Sequence, residues 1–362
     1  MNIKKIKPRQ LKKGDRAAIV SLSSGMLGED FCSHNIEIGT KRLREYGIEP
    51  VFMENSLKGI GYLASNPQAR AQDLKDAFSD DSISAVICAI GGDDTYRLMP
   101  YLMEDKEFLR NVRNNPKIFT GFSDTTINHL MFSKLGMVSY YGPAFITDLG
   151  EISDEMLPYT KTAFEGFFKG KEITKITSSD VWYETRTDFS PAAIGTERTA
   201  HKEEHGFEAV QGRGSFTGEL FGGCLESLYD IINPSRYEDE PRVCEKYSLL
   251  GSPDDLRGKI LFLETCEERP EPEKFAMELT ALKQKGMFEH INGIIAGKPE
   301  DEVYYEEYKQ IFTQVIDDPD LPVLYNLNFG HSSPRCVIPY GIQTKVDMDN
   351  KSVEFLEPLF VK

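Results

Sequence analysis

The first half of the chain alternates short runs rich in β-branched and aromatic residues with longer segments whose apolar residues recur at helical spacing. Parallel strands need a crossover of a dozen or more residues, so this alternation predicts a parallel sheet covered by helices on both faces. The predicted strands are 17–22, 50–53, 85–90, 118–121 and 138–141, and the predicted helices are 34–46, 67–78, 95–103 and 125–135. The pattern predicts a doubly wound α/β domain over residues 1–170.

The composition changes after a predicted helix at 154–168. A polar run at 177–214 contains the only tryptophan, Trp182, and predicts a connection or lid over 171–214, because so long a loop is usually functional or disordered. The remainder predicts a β-rich domain over 215–362. Its predicted strands are 216–220, 259–263, 293–296, 322–325, 341–346 and 353–356, and its predicted helices are 225–232, 272–285 and 304–316.

The charge balance excludes several classes of partner. The 362 residues carry 42 basic and 58 acidic side chains, a net charge of −16, which disfavours general binding to nucleic acid or an anionic membrane. No run approaches the roughly 20 apolar residues that a bilayer requires, and residues 1–15 have no apolar signal segment. We expect a cytoplasmic protein. The six cysteines form no CxxC pair, so we expect neither a metal nor another cofactor.

The loops that follow the strands of a doubly wound sheet are where its ligands bind. In the segment 117–126, a predicted strand, a tight turn and a helix would place Ser123 above the sheet, as in the nucleophile elbow of serine hydrolases. Thr125 stands where the second glycine of that motif is usual. The alternative is that Ser123 or Asp124 caps the helix.

A serine nucleophile needs a base and a group that orients the base. Glu264 ends a predicted apolar strand, and His331 lies on a loop rich in Gly, Ser and Pro after another strand. Each has an ordinary alternative, since Glu264 could be a surface charge at a strand end and His331 a turn residue.

Paired glycines supply a third element. Gly91 and Gly92 follow a buried-type strand, and an amide there could point at a developing negative charge. The alternative is a glycine turn with Asp93 or Asp94 as a helix cap. The lysine and hydroxyl of a phosphate-binding loop do not follow the pair.

Together these segments resemble the LD-carboxypeptidase family of serine peptidases. The motifs that carry the resemblance, in order, are 90–94 (IGGDD), 121–126 (GFSDTT), 222–226 (GGCLE), 261–264 (LFLE) and 330–331 (GH). The resemblance implies a triad of Ser123 as nucleophile, His331 as general base and acid, and Glu264 as the residue that orients His331. It also implies an oxyanion site from amides near Gly92 and at Asp124.

The family resemblance further implies a Rossmann-like N-terminal domain, a β-rich C-terminal domain, an active site between them and a homodimer. The IGGDD form and the long polar connection are more similar to the microcin C immunity peptidases than to the murein tetrapeptide carboxypeptidases. We therefore expect a hydrolase that cleaves an amide bond in a murein LD-peptide or an aminoacyl nucleotide. The expected substrate-binding residues are Asp93, Trp182, Cys224 and Glu268.

Two of these positions depart from the immunity-peptidase pattern, which has Asn and Lys where this chain has Cys224 and Glu268. The acidic cluster of Glu264, Glu267 and Glu268 could recognise an amino group instead. Two alternatives to a serine peptidase remain: a nonenzymatic two-domain protein that binds a small ligand, and a nucleotide- or metal-dependent α/β enzyme that uses Asp93 and Asp94.

Overall fold

A mostly parallel sheet lies at the centre of the first half of the chain in the computed structural model, which describes residues 5–361. Residues 1–4 and 362 lie outside the described residues. The predicted domains 1–170 and 215–362 extend into them, and so does the segment 1–15 that is expected to contain no apolar signal. The strands contributed by the first half are β1 Arg16–Val20, β2 Glu49–Phe52, β3 Ile83–Cys88, β4 Ile118–Gly121 and β5 Tyr140–Tyr141.

Helices connect these strands and cover the sheet. They are α1 Ser33–Glu45, α2 Ile60–Ser65, α3 Pro67–Ser79, α4 Met99–Met103, α5 Lys106–Asn114, α6 Thr126–Leu135 and α7 Pro158–Glu165. The predicted helix 95–103 begins as a 3₁₀ turn, Thr95–Leu98, before α4. The sequence analysis did not predict α2 and α5; in α5 the Asp105 carboxylate accepts the first free amides, from Glu107 and Phe108.

The strand order determines where a site can form. The first-half strands run β2-β1-β3-β4-β5 and are all parallel. The order reverses between β1 and β3, and doubly wound sheets bind ligands beyond the carboxyl ends of the strands at such a point. Gly91 and Gly92 follow β3, and Ser123 follows β4. The predicted Rossmann-like domain is confirmed.

The rest of the described chain contributes eleven strands, eight of which form a larger sheet. Its strands, with those of the polar segment, are β6 Lys175–Ile176, β7 Val181–Tyr183, β8 Ala200–Lys202, β9 Glu208–Gln211, β10 Ser215–Cys224, β11 Ile260–Glu264, β12 Gly293–Gly297, β13 Val323–Leu327, β14 Ile338–Pro339, β15 Gln343–Asp347 and β16 Ser352–Phe355. Its helices are α8 Leu225–Ile232, α9 Glu240–Lys246, α10 Pro272–Gln284 and α11 Tyr305–Ile316. The predicted β-rich second part is confirmed, although its four central strands, β10 to β13, are parallel.

Two glycines at the end of β10 allow close packing, one within the second sheet and one against the first half of the chain. Gly222 and Gly223 have φ of 146° and 142°, and a Cβ on either would overlap a neighbour: the Phe262 carbonyl for Gly222 and the Thr126 side chain for Gly223. Thr126 begins α6, directly behind Ser123. Gly223 therefore lets the second sheet pack against the helix that follows the candidate nucleophile, whereas Gly222 lets β10 lie close to β11 of its own sheet.

The polar segment 177–214 is folded. Strands β7 and β8 form a separate antiparallel pair, and β9 joins the edge of the second sheet beside β13. The two sheets are also linked directly, because β14 from the second half is hydrogen-bonded to β5 of the first sheet. Within residues 5–361, no helix is both long enough and apolar enough to cross a membrane.

Candidate active site

Ser123 occupies a strained position at the turn between β4 and α6. Its φ is +66°, a region that non-glycine residues seldom adopt, and Phe122 before it is extended. This is the geometry of a nucleophile elbow. Within the described chain, the Ser123 hydroxyl makes no hydrogen bond to the helix that follows. The capping alternative for Ser123 is therefore wrong.

The glycine loop lies against this turn. A Cβ built on Gly91 would lie 2.8 Å from Ser123 Oγ and 3.3 Å from the Asp124 amide nitrogen, so the loop approaches as closely as only glycine allows. The Gly92 amide donates no hydrogen bond to any residue of the described range. Of the two amides predicted for the oxyanion site, that of Asp124 follows Ser123 directly in the chain, and that of Gly92 lies in the adjacent glycine loop.

Buried polar contacts hold the glycine loop in place. Arg70, which is fully buried on α3, donates to both carboxylate oxygens of Asp94 at 2.5 and 3.0 Å and to the Ser23 carbonyl at 3.2 Å. The Asp93 and Asp94 amides donate to the Ser23 hydroxyl. Asp94 is thus a partner of Arg70 rather than a side-chain helix cap.

Glu264 and His331 form the predicted pair. Glu264 ends β11, and its Oε2 accepts from the His331 ring Nδ1 at 2.8 Å and from the His331 amide at 3.1 Å. A Cβ on Gly330 would overlap the Glu264 carboxylate, so the residue before His331 must be glycine for this contact to form. The carboxylate fixes the ring orientation and leaves Nε2 facing the cavity, as a general base requires.

Tyr141 connects the two halves of the site. Its hydroxyl accepts the Ser123 amide at 3.0 Å and donates to Glu264 Oε1. Burial raises the pKa of Tyr141 well above its usual value, so the phenol stays protonated and remains a donor. The sequence analysis did not name Tyr141, although it ends a predicted strand, where functional side chains are expected.

A second carboxylate occupies the catalytic face of His331. Glu267 Oε2 lies 3.0 Å from His331 Nε2, and no hydrogen bond joins Ser123 Oγ to His331 within residues 5–361. Although burial lowers the pKa of His331, the charges and hydrogen bonds of Glu264 and Glu267 raise it to about 10. The hydrogen bond to His331 lowers the pKa of Glu267 to about 2. A protonated His331 cannot accept a proton, so Glu267 must withdraw before this histidine can act as a base.

We expect Glu267→Gln to shift the pH dependence of activity. Removing this charge lowers the pKa of His331, so a larger fraction of the imidazole is neutral at a given pH. The rising limb of kcat/KM against pH should therefore move to lower pH. Glu271→Gln, an exposed carboxylate that caps no amide, is the matched control and should leave the limb in place. An unchanged limb in Glu267→Gln would show that Glu267 does not control His331.

The cavity in front of Ser123 has a volume of about 380 Å³, within the range of small-molecule sites. Apolar side chains line one part of it, including the half-exposed Phe189. Three arginines also line it: Arg335 pairs with Asp148 at 2.9 Å, and Arg186 and Arg198 both pair with Glu151.

The residues predicted to bind substrate fall in different places. Asp93, Cys224 and Glu268 line a smaller recess that also reaches Ser123. Trp182 does not line the large cavity; its ring stacks on His201 at a centroid distance of 4.3 Å and lies 5.4 Å from Lys298 Nζ. The aromatic side chain that reaches the cavity from the polar segment is Phe189. The sequence analysis favoured Trp182 because it is the only tryptophan and did not consider Phe189.

Comparisons with known proteins match both halves of the chain. Residues 17–142 match the model of the LD-carboxypeptidase N-terminal domain, and residues 217–346 match that of the C-terminal domain. A structure described as an MccF-like protein from Streptococcus pneumoniae in complex with AMP is 48% identical, with a TM-score of 0.91, over 94% of this chain and 98% of that chain.

Two curated relatives carry different names. A probable murein peptide carboxypeptidase of Bacillus subtilis is 29% identical over 96% of this chain and 93% of its own length. The microcin C7 self-immunity protein MccF of Escherichia coli is 26% identical over 88% of this chain and 87% of its own length. With both domain models matched in order and a 48% identical relative of the same fold, the chain belongs to the LD-carboxypeptidase family.

Proposed function

We propose that this protein is a serine hydrolase that cleaves an amide bond in a small peptide or an aminoacyl nucleotide, with Ser123, His331 and Glu264 as its triad. One observation carries the proposal: Ser123, at a strained elbow, lines the same cavity as His331, whose ring Nδ1 is hydrogen-bonded to the buried carboxylate of Glu264. A protein that only binds a ligand has no need of this arrangement.

The first half of the reaction forms an acyl-enzyme. Glu267, whose side chain is 67% exposed, swings away, and His331 releases its Nε2 proton to solvent because its pKa falls. The neutral Nε2 then takes the proton of the Ser123 hydroxyl. Ser123 Oγ then attacks the substrate carbonyl carbon. The negative charge that develops on the carbonyl oxygen is stabilised by the amides of Gly92 and Asp124.

The second half releases both products. The protonated His331 gives its proton to the leaving nitrogen as the amide bond breaks, and the amine departs. A water molecule then loses a proton to His331 and attacks the acyl carbon. The bond between this carbon and Ser123 Oγ breaks, and His331 returns the proton to Oγ, which frees the acid and restores the Ser123 hydroxyl. Glu264 stays ionised throughout and stabilises the imidazolium.

The cavity and the relatives together support the substrate class. An apolar wall with an aromatic ring suits a nucleobase, and arginines suit a phosphate-like or carboxylate group. The pneumococcal relative binds AMP, and the B. subtilis relative is named for murein peptides.

Turnover of a substrate panel tests the proposed function. The panel contains a murein tetrapeptide and a set of aminoacyl-sulfamoyl adenosines, and mass spectrometry detects the released amine. We expect at least one class to be cleaved. Binding of a panel member without any cleavage would favour the nonenzymatic alternative.

We expect activity to survive exhaustive chelation. Cys224, Glu264 and His331 could bring three ligand atoms within 4.8 Å of one another, so a metal site is a specific competitor to the triad. However, His331 Nδ1 and Glu264 are bound to each other, and burial raises the pKa of the Cys224 thiol well above its usual value, which disfavours a thiolate ligand. Loss of turnover in EDTA, restored by a divalent ion, would overturn the triad mechanism.

Two expectations from the sequence remain predictions. The family resemblance implies a homodimer, which light scattering of the purified protein would measure. The sequence composition implies a cytoplasmic location, which fractionation of the source cells would measure.

A further inference from the structure

A small recess beside Ser123 is rich in carboxylates, which make up seven of its thirteen lining residues. It has a volume of about 30 Å³ and shares Gly92, Ser123 and Glu267 with the large cavity. Arg236 is the only basic side chain in its lining. The acidic side chains that line it are Asp93, Asp124, Glu226, Asp230, Glu240, Glu267 and Glu268.

The surface carboxylates of the recess are already paired. Arg236 lies 2.9 Å from Glu268, 3.4 Å from Asp93 and 3.7 Å from Asp230. Lys274 also contacts Glu268, at 2.9 Å. One guanidinium thus serves three carboxylates at the rim, and it forms no ion pair with the deeper acids within the described residues.

Two of the deeper carboxylates have backbone donors. Asp124 accepts the Thr95 amide at 2.9 Å, and Glu226 accepts the Cys266 amide at 3.1 Å. Both are buried, and burial together with neighbouring carboxylates raises the pKa of each, to about 6 for Asp124. These backbone hydrogen bonds bring no positive charge into the recess, so its acidic groups still outnumber the one basic side chain, Arg236.

Glu240 has no such partner. It lies on α9, is 1% exposed, and its Oε2 makes no hydrogen bond within residues 5–361. Burial and the nearby Asp124 and Asp230 raise the pKa of Glu240 to about 9, so the free carboxyl is protonated at neutral pH and must release that proton to solvent when it accepts from an ammonium group. An unpartnered buried carboxyl is costly, so its retention in the wall of an active-site recess points to a donor that arrives with the substrate.

The position of His331 decides which half of the substrate reaches the recess. His331 lines the large cavity and not the recess, and it must protonate the leaving nitrogen. The leaving group therefore lies in the large cavity. The acyl half, bound to Ser123, extends toward the carboxylates.

We propose that the recess binds a primary ammonium group on the acyl half of the substrate, with Glu240 as its principal acceptor. This proposal rests on the proposed hydrolase function. The volume of the recess is about that of one water molecule in the liquid, which suits a single ammonium group. The ammonium could be the α-amino group of the acyl residue or the end of a basic side chain, and the experiment separates the two.

Three acyl-sulfamoyl adenosines that share one leaving group test the proposal. The norleucyl compound has only an α-ammonium, the Nα-acetyl-lysyl compound has only a side-chain ammonium, and the Nα-acetyl-norleucyl compound has neither. We expect kcat/KM for one of the first two to exceed that for the third by about 10- to 100-fold, the effect of one hydrogen bond to a charged group. Equal values for all three would overturn the proposal.

Glu240→Gln should remove this preference. It should lower kcat/KM about 10- to 100-fold for the preferred ammonium substrate and leave the uncharged compound unchanged. Glu245→Gln, an exposed carboxylate on the same helix and outside the recess, is the matched control. Equal losses on all three substrates in Glu240→Gln would assign Glu240 a structural role and overturn the proposal.

A binding measurement needs no turnover. Butylamine should raise the Tm of the unmodified protein more than butanol does, and this difference should vanish in Glu240→Gln. Equal shifts with both compounds, or a shift with a divalent cation in place of butylamine, would overturn the ammonium assignment. Failure of all three compounds and of the murein tetrapeptide as substrates would count against the proposed function, whereas cleavage without an ammonium preference would count against this inference alone.

Discussion

Ser123→Ala is expected to lower kcat by about 10⁴- to 10⁶-fold on any substrate that the protein cleaves, because the hydroxyl is the atom that forms the covalent intermediate. The remaining contacts of the site do not involve this hydroxyl, so substrate binding should survive. Turnover measured with and without the substitution, together with a dissociation constant for the variant, separates loss of chemistry from loss of binding.

Two further variants make the Ser123 result specific. Ser133→Ala, the same substitution on the following helix α6, should keep full activity. Ser123→Gly should be as inactive as Ser123→Ala. Its free energy of unfolding should exceed that of Ser123→Ala by about 1 kcal/mol, because glycine adopts a φ of +66° without strain. Near-parental turnover in Ser123→Ala would contradict the covalent mechanism, and a less stable Ser123→Gly would contradict the strain.

Glu264→Gln is expected to lower kcat by about 10⁴-fold, the cost of a neutral partner behind a catalytic histidine. An amide can present its NH₂ group to His331 Nδ1 and so favour the tautomer that carries its proton on Nε2, where it cannot take the Ser123 proton. The substitution also removes the charge that stabilises the imidazolium. Kinetics at several pH values measure both effects.

Glu267→Gln is the control that the structure itself supplies. Both carboxylates contact the His331 ring, Glu264 at Nδ1 and Glu267 at Nε2, yet only the first is expected to be required. Large losses in both variants would show that any charge change near His331 is harmful, and the separate role of Glu264 would then be wrong.

The fold was predictable wherever periodicity alone determines an element. The predicted strand 118–121 matches β4, and the predicted helix 67–78 differs from α3 by one residue. Two short helices were missed because α2 and α9 contribute few buried side chains and their patterns are faint. The helix α5 was missed although its apolar and polar residues lie on separate faces. The parallel direction of β10 to β13 depends on long-range pairing that no local pattern encodes.

Candidate site residues were predictable where the residue type and its place in the local pattern together indicate a chemical role. Glycines next to a serine, a carboxylate at a strand end and a histidine on a glycine turn indicate a candidate nucleophile, a candidate orienting group and a candidate base. Residues whose role depends on a neighbour from the other half of the chain were not predictable. Neither the bond from Tyr141 to Glu264 nor the unpartnered state of Glu240 has a local signature.

The hydroxyl of Tyr141 bridges the two halves of the chain, which limits how the halves of different homologues can be combined. One hydroxyl sets the distance between a nucleophile from the first half and a carboxylate from the second, and β14 of the second half completes the sheet of the first. The halves are therefore not exchangeable modules. A chimera that joins the first half of one homologue to the second half of another should be active only if both parents share this geometry, and fragments expressed separately should regain activity only on reassociation.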